Sequence, residues 1–387
     1  MLKNPFAKKR EKSLGVDIGT SSVKIVEFSR EGDKLELTNY GEFVLEAERA
    51  LYSSSVKLSP NETARIIKNI IQEAHIISTN ATMSIPVFSG FSTVISLPDM
   101  SDAELDRAVS YEAKKYIPLP LSEVQFEWTR LENSGNSPVA TRPNPAPRGK
   151  VQDFIAKDGK GTVGQARNNP ETFRPSPVSN SAPLSDILIV AVTKELIGKY
   201  QKIAKLSGLS LSYLELDTFS LARSFAANDD SNLIIDIGSR NTILSIAKGD
   251  WPVFSRTVEI SGYELTKLLA SSLGIDFSRA EEQKRKKGID AGVDVILPLL
   301  DSIFLEGRRV IDEYSRKKNI KIKKVILVGG TARMPGIREH AAKIMGLEVV
   351  VGFPFNGIIY PKELDSTLRD LGPSFSIATG LALREFR

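Results

Sequence analysis

The feature that most constrains this chain of 387 residues is a short segment that occurs twice. Leu14-Gly15-Val16-Asp17-Ile18-Gly19-Thr20-Ser21-Ser22-Val23-Lys24-Ile25 aligns without a gap on Leu233-Ile234-Ile235-Asp236-Ile237-Gly238-Ser239-Arg240-Asn241-Thr242-Ile243-Leu244. Both copies carry Asp-Ile-Gly followed by a hydroxyl residue, with an apolar run before and another after. Apolar runs separated by a Gly-containing turn read as strand–turn–strand. Self-similarity at a distance signals one supersecondary unit used again. The expectation is a chain of two halves, each opening with the same device. Its length suits two or three domains at roughly 100–200 residues each.

The turns carry chemistry. Gly permits a tight turn and close approach of another group. Successive backbone N–H groups in such a turn form an anion-binding concavity. In the first copy Gly19, Thr20, Ser21 and Ser22 supply amides and hydroxyls, and Lys24 on the next strand is a point charge suited to phosphate. In the second copy Gly238, Ser239, Arg240 and Asn241 hold the matching places. Asp17 and Asp236 would repel phosphate. They suit Mg²⁺ held through water, because Mg²⁺ prefers oxygen ligands and keeps much of its hydration shell. One such turn is ordinarily a hairpin, whereas two at matching positions form a clamp. A third element, Val325-Ile326-Leu327-Val328-Gly329-Gly330-Thr331-Ala332-Arg333-Met334-Pro335-Gly336, runs an apolar strand into two glycines, with a helix expected near Pro335. Glycines at a strand end leave room for a flat base or ribose, although alone they also suit a packing turn.

Between these elements the chain alternates strands and helices. Residues 13–45 read as three strands. Ser59, Pro60 and Glu62 form a helix start with a capping box, followed by Ile66, Ile67, Ile70, Ile71 and Ala74 on one face. Ser101 and Glu104 repeat the capping box for a helix to about Tyr116, which Pro118 and Pro120 stop. A buried strand at Ile187–Val192, a helix from Thr193 to near Gly208, a strand at Ser210–Leu216 and a helix at Thr218–Ala227 follow. Asp217 reads as the N-cap of the helix from Thr218, and it is the candidate base for an attacking water on the phosphoryl chemistry that the resemblance given below implies. Residues 133–183 hold eight of the 20 prolines and no apolar period, and read as a long disordered insertion. The expected division is a basic tail at 1–12, a first lobe at 13–230 with an inserted subdomain at about 81–192, a second lobe at 231–370, and a closing helix at 371–387 that returns to the first lobe.

Composition excludes several classes. There is no cysteine, hence no disulfide or thiolate metal site. The two histidines, His75 and His340, each fall in a helix-like stretch and do not suggest an imidazole-based site. No apolar run approaches the ~20 residues that span a bilayer, and no apolar core follows the basic start, so a secretory signal is not expected. The net charge is +5, but residues 1–12 and 133–183 each contribute +4, leaving the rest at −3. That distribution argues against nucleic acid, which calls for a basic face on a folded surface. The runs Lys284–Lys287, Arg316–Lys318 and Lys323–Lys324 read as solvated helix ends.

The quoted segments carry a resemblance. Asp17-Ile18-Gly19-Thr20, Asp236-Ile237-Gly238-Ser239 and Leu327-Val328-Gly329-Gly330-Thr331-Ala332 resemble, in order and spacing, the two phosphate motifs and the adenosine motif of the actin, Hsp70 and sugar-kinase superfamily. Tyr111-Glu112-Ala113-Lys114-Lys115-Tyr116-Ile117-Pro118-Leu119-Pro120, Glu215–Arg223, Ala280-Glu281-Glu282-Gln283-Lys284 and Ala378–Arg384 are similar to segments of the PilM family of type IV pilus assembly. That family shares its inserted subdomain in outline with FtsA. Gln283, where that helix motif usually has Leu, and the insertion depart from the family pattern. The resemblance implies an α/β actin-like ATPase fold, two lobes around a nucleotide cleft, with ATP and Mg²⁺ as ligands and Glu281 and Lys284 near ribose and base. It implies the N-terminal cytoplasmic tail of the membrane protein PilN as partner, in a groove between the first and inserted subdomains. A seat at the cytoplasmic face of the inner membrane follows, with membrane contact through the partner. It leaves room for other platform proteins, an assembly ATPase and self-association. Hydrolysis is expected to be slow at most.

Three rivals share the superfamily. A small-molecule kinase needs a carboxylate base facing a sugar-sized pocket, and no segment supplies an obvious one. An FtsA-like filament protein ends in a linker and amphipathic helix, whereas Arg387 follows directly on a helix that reads as core. An Hsp70-type chaperone needs length for a separate substrate domain.

Overall fold

The computed structural model describes residues 11–45, 58–131, 184–226, 231–290 and 294–386. The expected insertion at 133–183 and most of the basic start lie outside them. The sequence repeat becomes a repeat of sheet topology. Strands β1 (Glu11–Ile18), β2 (Ser22–Glu31), β3 (Lys34–Val44), β4 (Asn80–Ile85) and β8 (Ser210–Leu216) form one sheet in the order β3-β2-β1-β4-β8. Strands β9 (Ser231–Ile237), β10 (Thr242–Lys248), β11 (Trp251–Val258), β12 (Lys324–Val328) and β13 (Glu348–Val351) form the other in the order β11-β10-β9-β12-β13. In each, the Asp-bearing strand is central. An antiparallel meander lies on one side of it and two parallel strands on the other. Every residue of β9 is buried, as expected of an apolar strand covered on both faces.

A third, antiparallel sheet is inserted between β4 and the helix Lys194–Ser207. It has the order β5-β7-β6, from β5 (Gly90–Pro98), β6 (Val124–Leu131) and β7 (Leu184–Thr193). Helix α2 (Asp102–Tyr116) covers it, burying Leu105, Val109 and Ala113 against Ile187, Ile189 and Ala191. Both capping boxes form, Ser59 with Glu62 at α1 (Pro60–Glu73) and Ser101 with Glu104 at α2. Helix α3 (Lys194–Ser207) starts at the N-cap Thr193 and stops at Gly208 in the left-handed region.

Several expectations shift locally. His75 is not a helix residue but the left-handed residue after the C-cap of α1, with φ 51°. Lys324 opens β12 and Lys323 directly precedes it, so neither ends a helix. The Gly-Gly turn continues as a short 3₁₀ segment, Gly330–Arg333, and the helix begins only at Ile337. Asp217 is the first residue inside α4 (Asp217–Ser224), whose N-cap is Leu216, and its carboxylate turns away to accept the Val87 N–H at 3.2 Å. The N-cap reading is therefore corrected: that amide, from the turn after β4, captures the carboxylate.

Two helices cross between the sheets. Helix α4 leads from β8 toward β9, and the late helix Ser376–Leu383 returns to pack on β1 and α4. A Cβ on Gly15 would collide with the carbonyl of Ala378, and one on Gly380 with the carbonyl of Ser220. Beside this crossing a buried triad forms. Glu215 accepts Arg223 at 2.7 and 2.9 Å and Arg384 at 2.7 Å, and Arg223 also donates to the carbonyl of Gly380 at 2.7 Å. A second tie joins the inserted sheet to the second lobe, where Lys318 donates to Asp186 of β7 at 2.7 Å.

Candidate functional site

The two Asp-Ile-Gly turns have the same backbone geometry. The N–H of Gly19 closes on the carbonyl of Ser22 at 2.9 Å, and that of Gly238 on the carbonyl of Asn241 at 3.0 Å. A Cβ at Gly19 would lie 2.9 Å from Ser22 O, and one at Gly238 3.0 Å from Asn241 O. Both turns thus need the missing side chain. They meet each other: Thr20 Oγ1 and Ser239 Oγ lie 2.7 Å apart, 219 residues apart in sequence. The carbonyl of Ser21 holds the end of β3 through the Leu45 N–H at 2.9 Å. Lys24 stands opposite Asp17 in the β1–β2 register, donates to Ser22 Oγ, and pairs with Glu42 at 3.2 Å.

Three buried carboxyls face this junction. Asp17 accepts Ser84 Oγ at 3.0 Å, and burial raises its pKa against the pull of Lys24. Asp236 is pushed up to about 7, first by burial and then by the charge of Asp17. Asp217 is raised well above its ordinary value by burial, then by Asp236 and Asp17. Crowded carboxylates out of water disfavour ionisation, and a cation among them reverses that.

The glycine turn closes the site from the second lobe. A Cβ on Gly329 would strike Asp236 Oδ1, and Gly329, at φ +86°, lies in the region that favours glycine. Its N–H donates to the carbonyl of Pro373 at 2.8 Å. Gly330 begins the 3₁₀ turn, in which Thr331 and Ala332 are buried. Helix α5 (Gly262–Leu273) starts against the second Asp-Ile-Gly turn: Gly262 N–H donates to Gly238 O at 2.8 Å and Tyr263 N–H to Ser239 O at 3.2 Å. A Cβ on Gly262 would lie 2.6 Å from Thr331 Oγ1 and 3.6 Å from Lys284 Nζ. Helix α6 (Phe277–Lys287) brings Glu281 and Lys284 to the same place. Lys284 is not a solvated helix end. It is buried, and its ammonium donates to Gly262 O at 3.0 Å and Thr266 Oγ1 at 2.7 Å, and pairs with Glu281 at 2.7 Å. Those are the three donors an ammonium has, so in this arrangement Lys284 fastens α6 to α5.

Ser84, the Val87 N–H, Gly262, Tyr263 and Thr266 join the site without having been singled out in the sequence. Each is adjacent only in space, and none lies in a repeated motif. A separate recess of about 520 Å³, lined by Ser29, Glu31, Asp33, Lys34, Glu36 and Ile359, opens at the opposite end of β2 from Ser22, away from the three carboxyls.

The raised carboxyls give a pH prediction. Asp236 has a folded pKa of about 7 against an ordinary 3.8. The folded state therefore holds more protons than the unfolded one between those values, and its stability falls as pH rises through that window. Thermal melts in chelator from roughly pH 5 to 8 should show the decline, and Asp236→Asn should flatten it. A stability that rises steadily over the window in wild type and variant alike would show the carboxyls to be uncoupled.

Comparison with solved structures fits the doubled sheet pattern. A structure described as a PilM–PilN type IV pilus biogenesis complex matches with TM-score 0.74 at 23% identity, covering 98% of this chain and 100% of that one. The ethanolamine utilization protein EutJ from Carboxydothermus hydrogenoformans matches with TM-score 0.54 at 16% identity, over 98% of this chain and 91% of that one. These likenesses and the meeting of the two turns define the class: an actin-like ATPase fold, two lobes around a cleft, with a smaller sheet inserted into the first. The family model described as type IV pilus assembly protein PilM matches residues 15–142 and 172–386. The chain belongs to the PilM family. The residues between those two matched stretches fall within the expected insertion.

Proposed function

We propose that this chain is an ATP-binding scaffold of the type IV pilus platform, seated at the cytoplasmic face of the inner membrane, which captures the N-terminal tail of PilN. The contact of Thr20 with Ser239 carries the nucleotide half of the reading. A phosphate chain that parts these hydroxyls would meet the amides of both turns, and so bridge the lobes. Ribose and base would lie toward Gly329, Gly330, Thr331 and Ala332, with Glu281 at their edge and Lys284 holding α6 in place. The residues present fit Mg²⁺ as well. Asp17 and Asp236, buried carboxyls beside the meeting of the two turns, would hold the ion through its waters. Bound there, Mg²⁺ offsets the charge of phosphates and carboxylates. Asp217, held by the Val87 amide, would be the candidate base for a water, which suits hydrolysis that is slow at most.

The division into a first lobe at 13–230, a second at 231–370 and a closing helix at 371–387 belongs to this proposal. So does the tail groove between the first and third sheets. Its support is family membership and the solved PilM–PilN complex. Among the described residues no helix is long and apolar enough to cross a membrane, which favours recruitment by a partner. Nucleotide would tune that recruitment only if ATP binds the two lobe arrangements with different affinity. The test is co-sedimentation with anionic vesicles, with and without a membrane-tethered PilN tail, at physiological salt. Binding should appear only with the tail and be lost to competing free peptide. Strong binding to bare vesicles would favour an FtsA-like tether instead.

A further inference from the structure

Asp186 lies near the start of β7, and two donors fix its carboxylate. Lys318 donates to Oδ2 at 2.7 Å from the second lobe, and Ser96, its register partner on β5, donates to Oδ1 at 2.7 Å. Burial would raise the pKa of Asp186, but these hydrogen bonds and the charges of Lys318 and Lys248 outweigh it and lower it. With side-chain exposures of 24% for Lys318 and 20% for Asp186, the pair is screened less than a surface pair.

The lysine stands on a rigid footing. It ends α7 (Leu297–Lys318), which buries Ile303, Phe304, Val310 and Tyr314 in the core of the second lobe. Arg256 of β11 braces this helix through Glu306 at 2.6 Å and Glu313 at 2.9 Å. At Gly307 the helix closes on β9, where an added Cβ would lie 3.3 Å from the side chain of Ile235 and 3.4 Å from that of Leu233. Ile235 immediately precedes Asp236. Helix α7 thus rests on the strand that presents the second Asp-Ile-Gly turn, and close packing makes Lys318 move with that turn.

The inserted sheet meets the first lobe differently. Both of its chain connections lie at one end, through the 3₁₀ segment Val87–Ser89 into β5 and through Thr193, which ends β7 and caps α3. There Gly90 pairs with Val192, and Asp217 holds the Val87 N–H. Ser96 and Asp186 pair six residues farther along, about 20 Å away at the rise of an antiparallel strand. Between the two ends, Leu188 and Val190 of β7 pack in the cluster that also holds Phe219 of α4 and Trp251 of β11. Apolar packing is non-directional and lets surfaces slide, whereas the ion pair holds one geometry.

The far end of a sheet that belongs to the first lobe in sequence is therefore bonded to the second. When the lobes rotate about the crossing helices, either the pair breaks or the sheet follows the second lobe and changes its angle to the first sheet. We propose that the sheet follows, and that Asp186 and Lys318 are the positioning residues that set the tail groove according to the state of the nucleotide cleft. The inference rests on the groove and cleft of the proposed function and names what regulates the groove.

The experiment has two arms on the full chain. The sequence has no cysteine, so spin labels at Ala103→Cys on α2 and Ser302→Cys on α7, both exposed positions, report one distance between the inserted sheet and the second lobe. Without ligand, double electron–electron resonance should give a narrow distribution. It should broaden in Asp186→Lys, which places a third cation beside Lys318 and Lys248, and narrow again when Lys318→Asp is added. In the second arm, a synthetic PilN tail peptide is titrated with and without Mg²⁺-ATP. Nucleotide should change the peptide's affinity by about fivefold or more in the parent protein and in the swapped pair, and by less than about twofold in Asp186→Lys. Restoration by the swap separates a lost tie from a damaged fold. Equal distance distributions in parent and Asp186→Lys, or a nucleotide effect that survives Asp186→Lys, would overturn the proposal. Broadening in Asp186→Lys with a peptide that binds none of the proteins would uphold the tie between sheet and lobe and bring down the tail reading instead.

Discussion

Saturating Mg²⁺ and ATP should raise the melting midpoint of this chain by roughly 5–10 °C, and Asp236→Asn should remove most of that gain. A ligand at a hundred times its dissociation constant adds about 2.7 kcal/mol to the folded state. At roughly 2–4 °C per kcal/mol for a lobe-sized domain of about 150–250 residues, the shift lies well above measurement error. The variant has an effect of opposite sign without ligand. Asp236 is buried beside Asp17, with its pKa pushed up to about 7. Above that pH the ligand-free protein keeps a carboxylate charged out of water, which costs stability. Asn removes the charge and nearly keeps the shape. The expected signature is therefore a variant at least as stable as wild type in chelator above neutral pH, but insensitive to Mg²⁺-ATP. Differential scanning fluorimetry with ATP, Mg²⁺, both and neither separates the terms. A variant that melts lower in chelator yet still responds fully to Mg²⁺-ATP would show that the ion sits elsewhere.

The parts of this site that the sequence announced are those built from consecutive residues. Each Asp-Ile-Gly turn is a local device, and two copies at matching positions fix where two sheets begin. Gly329-Gly330 is equally local. The capping boxes at Ser59 and Ser101 set helix starts for the same reason: their partners lie three residues away. What the sequence withheld is set by packing across long separations. Asp217 carries the residue type and spacing of an N-cap, and only the approach of Val87 redirects it. Lys284 sits in a run of four basic residues, and nothing local marks it as the buried one. Glu27 would pass for a surface acid on β2. It is fully buried, and although burial alone would raise its pKa, hydrogen bonds from Ser78, Asn39 and Thr38 outweigh that and hold it at about 2. Those donors come from β3 and the chain leading into β4, so no window of sequence contains the set.

The largest loss of stability should come from Glu215, which lies outside the cleft. Its carboxylate is buried, and burial would raise its pKa, but the charges of Arg223 and Arg384 outweigh that and lower it. Arg384 also lies over the Tyr213 ring, 4.3 Å from its centre. Removing one member of a buried ionic group leaves the others charged and unsatisfied, at a cost of about 3–5 kcal/mol. Glu215→Gln should therefore lower the melting midpoint by roughly 10 °C. The location gives the loss a further consequence. Arg223 belongs to α4, which leads out of the first lobe, and Arg384 follows the helix that returns to it. With the carboxylate gone, the returning segment keeps its apolar contacts but loses the charge that fixes it to β8. The two lobes should then melt as separate transitions in calorimetry. Mg²⁺-ATP, which on the proposed reading bridges the lobes, should bring the transitions back together. A double variant, Glu215→Gln with Arg223→Met, decides whether ionic satisfaction is the cause. It should lose less than the sum of the two single losses, because a buried cation has been removed along with its partner. Additive losses, or a Glu215→Gln protein that melts within about 2 °C of wild type, would show that packing through Gly15 and Gly380 holds the crossing without the triad.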